Sequence, residues 1–289
     1  MITRKNLLCS VAEPLGFTLM SDLHIGGAST DHASIQSDLK LGKDQGDRIS
    51  INGDIFDAIL PKDHKRYRPE AVHPELRNRS DMLNGALDMA FEMLEPYAKQ
   101  IDMLGCGNHE DTVAKYNGLD IVQLLVYRLN KECGSSISYG GYTGFISYSA
   151  SSGKKKGAGK QMAVVIYYHH GAGGSSPVTK GMIDFNRKGV WVDSDVVWLG
   201  HKHNKLTDTT PLRMRCPQQG DQPILDQQVY VMSGSYLDTM KFQTQQEIMN
   251  GRVSTYAADW GLPPQAKGGA RVLVKMHRDS GKEWIKVLI

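Results

Sequence analysis

Short runs of apolar, often β-branched residues recur along the chain, each bounded by glycine or polar residues. Runs of this length in such a setting are typical of buried β-strands. They lie at residues 17–20, 48–51, 101–104, 162–168, 195–199, 229–232, 271–276 and 284–288. We predict a buried strand at each of these positions.

Between several of these runs, apolar residues repeat at the i, i+3, i+4, i+7 spacing of an amphipathic helix. One such helix is predicted to begin with Ser80 as its N-cap. Its apolar positions are Leu83, Ala86, Leu87, Ala90, Phe91 and Leu94. A second helix is predicted over residues 119–132, ending near Gly134, and a third after Ser176, with Pro177 at its first position. Strands alternating with helices predict an α/β fold.

Two segments have the composition of surface insertions rather than of core elements. Residues 61–79 are rich in Lys, Arg, His and Pro, and residues 149–160 are rich in Gly, Ser and Lys. Neither segment divides the chain into two independent patterns. We therefore predict a single domain over residues 1–289, with surface insertions near 61–79 and 149–160.

Composition narrows the class of protein only modestly. With 40% hydrophobic and 22% charged residues, the chain has the balance of a globular protein and no bias toward disorder. Its net charge of +3 permits an anionic substrate but does not require one. No segment approaches the ~20 apolar residues that cross a bilayer, so we expect no membrane association. Four cysteines lie far apart without CxxC spacing, as is typical of a reduced, cytoplasmic protein.

The candidate chemistry lies in polar side chains that follow the predicted strands. Asp, Asn and His residues follow five of the runs, and these residue types bind hard or borderline divalent metals. The five clusters are Asp22-Leu23-His24, Gly53-Asp54-Ile55-Phe56-Asp57, Gly107-Asn108-His109-Glu110, His169-His170-Gly171 and Gly200-His201-Lys202-His203. Each cluster alone is common in ordinary turns. Five of them in succession at strand ends leave little room for accident, and the turn at Ser233-Gly234-Ser235 is predicted to lie beside them.

Local geometry explains how such clusters can serve one site. Residues two apart in an extended chain project to the same side, so Asp22 and His24 can reach a single ion. The two oxygens of the Asp54 carboxylate allow it to bridge two ions. Asn108 offers a neutral carbonyl oxygen, and His109 is a candidate acid or charge stabiliser.

In this order the five clusters resemble the signature of the calcineurin-like metallophosphoesterases, in particular their nuclease and phosphodiesterase branches. The resemblance spans residues 22–203. It implies an α/β fold: a four-layer sandwich of two mixed β-sheets flanked by α-helices, with a dimetal site at the carboxyl ends of the strands. It also implies two divalent metal ions as cofactors. Mn²⁺ is favoured, and Fe, Zn²⁺, Ni²⁺ and Co²⁺ are alternatives because the nitrogen and oxygen ligand set accommodates them all.

The same resemblance implies a role for each site residue. The implied metal ligands are Asp22, His24, Asp54, Asn108, one of His169 and His170, His201 and His203, with Asp54 as the bridge. Of the tandem pair, His169 is favoured because it directly follows the apolar run, but His170 stays open. The resemblance makes His109 the catalytic histidine and Asp57 the carboxylate that orients it.

Three functions remain open at this stage. A phosphodiesterase, including a DNA or RNA nuclease, is favoured, because the first insertion carries basic residues of which Arg66 and Arg68 are candidate substrate contacts. A phosphatase or phosphodiesterase for a small molecule is the second, with the loop at 171–176 gripping a phosphate. A non-catalytic metal-binding scaffold is the remote third. A protein phosphatase is not expected, because Ala58 and Asp111 stand where that branch carries arginines.

Overall fold

Two six-stranded β-sheets form the centre of the computed structural model, which describes residues 1–64, 66–153, 155, 157–174, 176, 178–215, 222–239, 245, 263–277 and 282–289. The first sheet has the strand order β1 (Ile2–Leu8), β6 (Thr143–Ser151), β7 (Gln161–His169), β8 (Val196–Leu199), β12 (Val229–Met232) and β9 (Leu206–Asp208). The second has the order β14 (Lys282–Leu288), β13 (Ala270–Met276), β2 (Leu15–Met20), β3 (Arg48–Ile51), β4 (Ile101–Gly105) and β5 (Ser138–Gly141). A separate hairpin pairs β10 (Leu212–Arg215) with β11 (Ile224–Gln227).

Both sheets are mixed. In the second, β2, β3, β4 and β5 are parallel neighbours, whereas β13 and β14 join antiparallel. In the first, β7, β8 and β12 are parallel, and β6 runs antiparallel to β7. Because parallel strands end at the same edge of a sheet, residues that follow β2, β3 and β4, or β7 and β8, are brought together.

Helices cover the sheets from outside. They are α1 (His32–Asp44), α2 (Pro74–Arg77), α3 (Met82–Leu94), α4 (Asn108–Asn117), α5 (Ile121–Cys133) and α6 (Met182–Gly189). One apolar cluster joins α1, α3 and α5 to the second sheet, and another fills the space between the sheets. A third packs α6 on the first sheet. The four-layer sandwich of two mixed sheets flanked by helices is therefore confirmed.

Alternate side chains of β8 pack into two different apolar layers. Val196 and Trp198 face the second sheet, and Val197 and Leu199 face Phe185 of α6. Since successive strand residues point to opposite faces, a strand buried on both sides favours apolar residues at every position. This explains why residues 196–199 include no polar side chain.

A buried carboxylate ties the two sheets at the end where β4 begins. Asp102 of β4 accepts a hydrogen bond from the hydroxyl of Tyr148 in β6 (3.0 Å). It also forms an ion pair with Lys5 of β1 (3.5 Å). Arg48 of β3 also pairs with it. A buried carboxylate needs such partners, because leaving it unpaired costs several kcal/mol, on the order of 3–5.

Each predicted strand is present, with bounds that differ by at most two residues. The first predicted helix begins one residue later than expected. It starts at Met82 and follows Asp81, rather than following Ser80. The second begins at Ile121, because the side chain of Asp120 caps it by accepting from the N–H of Gln123, and it ends before Gly134 as predicted.

The third predicted helix is misplaced. It starts at Met182, after Gly181 in the left-handed conformation (φ 92°), rather than after Ser176, and Pro177 lies outside the described residues. In the insertions, Lys65, Lys154 and Lys156 also lie outside them. The second insertion is shorter than predicted because β6 continues to Ser151. None of the helices in the described ranges is long and apolar enough to cross a membrane.

Candidate metal centre

The carboxyl ends of five strands bring the predicted site residues together. Asp22, Asp54 and Asn108 follow β2, β3 and β4 of the second sheet. His170 and His201 follow β7 and β8 of the first sheet. The site therefore lies across the top of both sheets, at one end of the sandwich.

Within the described ranges, three overlapping groups of side chains could each hold a metal ion, with the ligand atoms of each group within 4.8 Å of one another. The groups are Asp22, His24 and His203; His24, Asp54 and His109; and Asp54, His170 and His201. Asp54 belongs to two of the groups, as a bridging carboxylate would. Its Oδ2 lies 3.2 Å from Nε2 of His170, and Oδ1 of Asp22 lies 3.3 Å from Nε2 of His203.

Several buried polar atoms in this cluster are poorly satisfied. Oδ1 of Asn108 has no hydrogen-bond partner among the described residues, and Nε2 of His170 has only its ion-pair contact with Asp54. In addition, Nε2 of His24 and Nε2 of His203 face each other at 3.4 Å. A buried polar atom without a partner costs about 1–3 kcal/mol of stability, so several such atoms in one cluster need an explanation. A bound cation would explain them, because divalent ions are coordinated by the lone pairs of oxygen and imidazole nitrogen atoms. The residues present therefore fit the metal ions that the sequence motifs imply.

Backbone strain is concentrated in the same residues. Among the described residues, six other than glycine have positive φ. Five belong to the cluster: Asp22 (55°), His24 (51°), Asp54 (46°), His201 (67°) and His203 (56°). Each such residue costs about 1–2 kcal/mol, and strain of this kind persists where the surrounding structure aims side chains at a functional site. The backbone strain therefore points to the same cluster as the chemical nature of its side chains does, and it is a separate observation.

Two glycines make room for His170. A Cβ atom on Gly53, whose φ is 75°, would lie 2.5 Å from Nδ1 of His170 and 2.7 Å from the carbonyl oxygen of Cys106. A Cβ on Gly107 would lie 2.7 Å from Nε2 of His170. Real contacts are not this short, so both positions need glycine.

Of the tandem histidines, the structure brings His170 and not His169 into the cluster. His170 is fully buried, and its Nδ1 donates to the carbonyl oxygen of Asn52 (2.8 Å), which leaves Nε2 toward Asp54. His169 ends β7 on the opposite face, where its Nδ1 accepts from the N–H of Gly171 (2.8 Å). The structure therefore places His170, the alternative left open, with Asp54 and His201, because two successive residues of an extended chain point to opposite faces.

Charge sets the protonation of His170. Burial alone would lower the pKa of His170, but the carboxylate of Asp54 outweighs it and raises the pKa to about 10. Burial lowers the pKa of His169 to about 4. Two neighbouring imidazoles in the metal-free protein thus differ in charge at neutral pH.

Asp57 contacts two histidines rather than the one expected. Its Oδ1 lies 3.3 Å from Nδ1 of His109 and 3.5 Å from Nδ1 of His24. Burial would raise the pKa of Asp57, but these two imidazoles hold it well below its usual range. For His109, burial lowers the pKa, whereas Asp54 and Asp57 raise it to about 9. An ionised carboxylate therefore faces a protonated His109 at neutral pH.

Glu110 has a role that sequence reasoning missed, although it stands in a recognised cluster. Its carboxylate accepts from the N–H groups of Asp54 (3.1 Å), Phe56 (2.9 Å) and Gly107 (2.7 Å). Burial and the charge of Asp54 raise its pKa to about 7. Glu110 thus joins the turn after β3 to the start of α4, and it fixes the spacing between Asp54 and Asn108.

The turn after β12 lies beside Asp22, as predicted. The carbonyl oxygen of Asp22 accepts from the hydroxyl of Ser235 (3.2 Å) and the N–H of Tyr236 (3.0 Å). The hydroxyl of Ser233 contacts that of Ser21 (2.8 Å). Sequence reasoning recognised this turn but assigned none of its residues a function.

The basic insertion is bound to the body of the molecule. Arg66 donates to the carboxylate of Asp63 (2.6 Å) and the hydroxyl of Thr112 in α4 (2.8 Å). Arg77 donates to two carbonyl oxygens and Arg79 pairs with Asp81, so both make internal contacts as well. Arg68 lies on the surface before the short turn Pro69–Ala71.

Comparison with known proteins gives no match to a family model and none to a curated protein. Among solved structures, the chain is similar to the calcineurin-like phosphoesterase YfkN from Bacillus subtilis, with a TM-score of 0.39 and 12% identity over 96% of this chain and 90% of that one. It is also similar to a predicted phosphoesterase from Streptococcus pneumoniae, with a TM-score of 0.32 and 12% identity over 95% and 97% of the two chains. A metallophosphoesterase from Sphaerobacter thermophilus gives a TM-score of 0.30 and 14% identity over 86% and 95%.

These names agree with the superfamily that the sequence motifs resemble. TM-scores between 0.30 and 0.39 are too low to carry an argument about family or chemistry.

Proposed function

We propose that this protein is a phosphoesterase of the calcineurin-like superfamily that uses two divalent metal ions to hydrolyse phosphodiester bonds. One observation carries the proposal. Seven Asp and His side chains from both sheets, His109 among them, converge on one cluster, with Asp54 shared between neighbouring groups. The proposed ligands of one ion are Asp22, His24, Asp54 and His203, and those of the other are Asp54, Asn108, His170 and His201.

When bound, two divalent ions supply Lewis acidity to a phosphoryl group and make a water acidic enough to act as nucleophile near neutral pH. The chain supplies the remaining chemistry. His109 holds a proton at neutral pH, and with Nδ1 directed to Asp57 its Nε2 is left to face the substrate. We assign His109 the role of donating that proton to the leaving oxygen, which would otherwise depart as a costly alkoxide.

Asp57 keeps the imidazole of His109 oriented and charged. The same carboxylate contacts Nδ1 of His24, which is a proposed ligand. One residue thus fixes the position of the acid relative to the metal site. A misplacement of about 1 Å between such groups can cost about 100-fold in rate, so this shared contact matters for turnover.

A small-molecule phosphate ester is the second candidate substrate, and one observation favours it over nucleic acid. Arg66, Arg77 and Arg79 of the basic insertion are exposed, but each uses guanidinium donors in contacts within the protein. A groove that tracks a nucleic-acid backbone needs cations whose donors are free for phosphate. The cytoplasmic location and Mn²⁺ as the native ion stay predictions.

The proposal is tested with an aryl phosphodiester and the matching monoester, each assayed with Mn²⁺ and with chelator. Hydrolysis of the diester that chelator abolishes is the expected result. Metal binding without turnover of either ester would instead indicate the scaffold function. Labelled single- and double-stranded DNA then distinguishes a nuclease from an enzyme for small esters.

A further inference from the structure

Three buried polar side chains connect the interior of the sandwich to Asp22. The indole N–H of Trp198 in β8 donates to the hydroxyl of Ser233 (3.0 Å). The hydroxyl of Ser233 contacts that of Ser21 (2.8 Å), and the hydroxyl of Ser21 donates to Oδ2 of Asp22. All four side chains are fully buried. The chain of hydrogen bonds therefore runs from the first sheet to the second and ends on a proposed metal ligand.

Donor chemistry gives this chain a direction. An indole N–H can only donate, so the oxygen of Ser233 must accept at that contact. The proton of Ser233 is then free for one acceptor, and Ser21 at 2.8 Å is nearer than the carbonyl oxygen of Leu199 at 3.4 Å. Ser21 in turn directs its own proton to Asp22, which can only accept when ionised. Every proton in the chain points toward the carboxylate.

The effect on Asp22 is to fix which oxygen faces the metal site. Oδ2 receives the hydroxyl of Ser21, and the N–H of His201 is shared between Oδ2 (2.9 Å) and Oδ1 (3.1 Å). Oδ1 faces Nε2 of His203 at 3.3 Å. With Oδ2 held from inside the protein, the carboxylate cannot rotate freely, and Oδ1 stays toward the cluster. Hydrogen-bond partners of this kind commonly change metal affinity by about 10–100-fold.

We propose that Trp198, Ser233 and Ser21 are positioning residues that act as one directional relay and hold Asp22 ready to bind its ion. The inference rests on the proposed metal site, but nothing in that proposal requires these three residues. If the hydrogen bonds had no directional role, Ser233 and Ser21 would contribute independently to metal affinity. In a relay, the contribution of Ser233 to metal affinity depends on Ser21.

The experiment is calorimetric titration of the metal-free full chain with Mn²⁺. Ser21→Ala, Ser233→Ala and the double variant are compared with the wild type. The matched control is Ser194→Ala, because Ser194 is also buried but its hydroxyl has no hydrogen-bond partner in the described part of the chain. Melting temperatures of the metal-free forms verify that each variant is folded. Trp198→Phe, which keeps a large ring and removes only the donor, tests the start of the relay.

Ser21→Ala is expected to lower the affinity for one of the two ions by about 10–100-fold and to leave the affinity for the other unchanged. Ser233→Ala and Trp198→Phe should lower the affinity for the same ion. The double variant of Ser21 and Ser233 should bind that ion no more weakly than Ser21→Ala alone. Additive losses, or wild-type affinity in Ser21→Ala, would overturn the relay while leaving the proposed function intact. A wild type that binds no Mn²⁺ would overturn both.

Discussion

Asp54 shows at the scale of one residue how charge and burial compete in this site. Burial would raise its pKa, but the imidazoles of His170, His109 and His24 lower it well below the ordinary value. In the metal-free cluster, protonated imidazoles therefore balance the negative charge of Asp54. In the metal-bound form, the cations would balance it instead. Metal and protons compete for the same nitrogen atoms, which makes binding sensitive to pH.

Mn²⁺ binding is expected to release protons at pH 7. The raised pKa of His170, about 10, means that this imidazole carries a proton that a metal ion must displace. Affinity should therefore rise as the pH rises toward that value and fall as the pH drops. Titration in two buffers of different ionisation enthalpy measures the released protons directly. Equal heats in both buffers would contradict the protonated state of His170.

The tandem histidines provide a matched pair of variants. His170→Ala is expected to lose one ion, because Nε2 of His170 faces Asp54. His169→Ala should bind both ions with wild-type affinity, because its imidazole lies on the other face of β7. Elemental analysis after dialysis distinguishes them. Loss of metal in His169→Ala with retention in His170→Ala would reverse the assignment.

His109→Ala is expected to reduce turnover of an aryl phosphodiester by about 10²–10⁴-fold while metal content stays near that of the wild type. The reason is that His109 supplies a proton and not a ligand in the proposed mechanism. Its imidazole nevertheless lies within reach of His24 and Asp54. If the purified variant lacks one ion, His109 is a ligand and the acid must be sought elsewhere.

At the scale of elements, the start of α4 organises the site and also holds the basic insertion. Asn108 and His109 begin this helix, and Glu110 in its first turn accepts three backbone N–H groups. One turn later, Thr112 accepts from Arg66 of the insertion and donates to the carbonyl oxygen of Asn108 (2.7 Å). The insertion therefore supports the element that carries the proposed acid.

Arg66→Ala is expected to lower the free energy of unfolding by about 1 kcal/mol, because it leaves the buried carboxylate of Asp63 without this partner. The side chain of Arg66 is 40% exposed, so solvent screening keeps the loss at the lower end of the range. Arg79→Ala is the matched control, since its pair with Asp81 is exposed and should contribute nothing measurable. Urea unfolding measures both. An unchanged midpoint for Arg66→Ala would return this side chain to the candidate substrate contacts.

Elements that could be predicted from the sequence are those buried on a whole face. The run of β8 is apolar throughout, whereas β5 has the sequence Ser-Tyr-Gly-Gly and gives no strand signal. Helix α1 was missed because it buries only Ile35, Leu39 and Gly42. The candidate ligands could be proposed from the sequence because Asp, Asn and His at five successive strand ends are unusual together. The partners of Asp22 were not, because Ser21, Trp198 and Ser233 meet only after the two sheets pack.

At the scale of the whole molecule, the proposed ions would add to the apolar packing, the ties of Asp102 and the hydrogen-bond chain at Asp22, all of which join the two sheets. Asp22, Asp54 and Asn108 come from the second sheet, and His170 and His201 come from the first. Ligands shared in this way make metal binding part of the stability of the fold.

Chelator is expected to lower the melting temperature of the wild type. An ion present at 100 times its dissociation constant stabilises the native state by about 2.7 kcal/mol, and that contribution disappears when the ion is removed. Asp54→Ala, which removes the shared carboxylate, should melt at the same temperature with and without chelator. A wild-type melting temperature that chelator leaves unchanged would contradict the connection between the sheets.

The tie at Asp102 and the metal centre lie at opposite ends of the sandwich, and only one of them depends on ions. A metal-starved molecule would therefore open asymmetrically. Backbone amides near Gly53 and Gly200 should exchange with deuterium early, whereas those around Ile101 should stay protected until the whole chain unfolds. Loss of cofactor would then expose the strand termini that carry the donors, so that reloading the ions requires the gap to close again before activity returns.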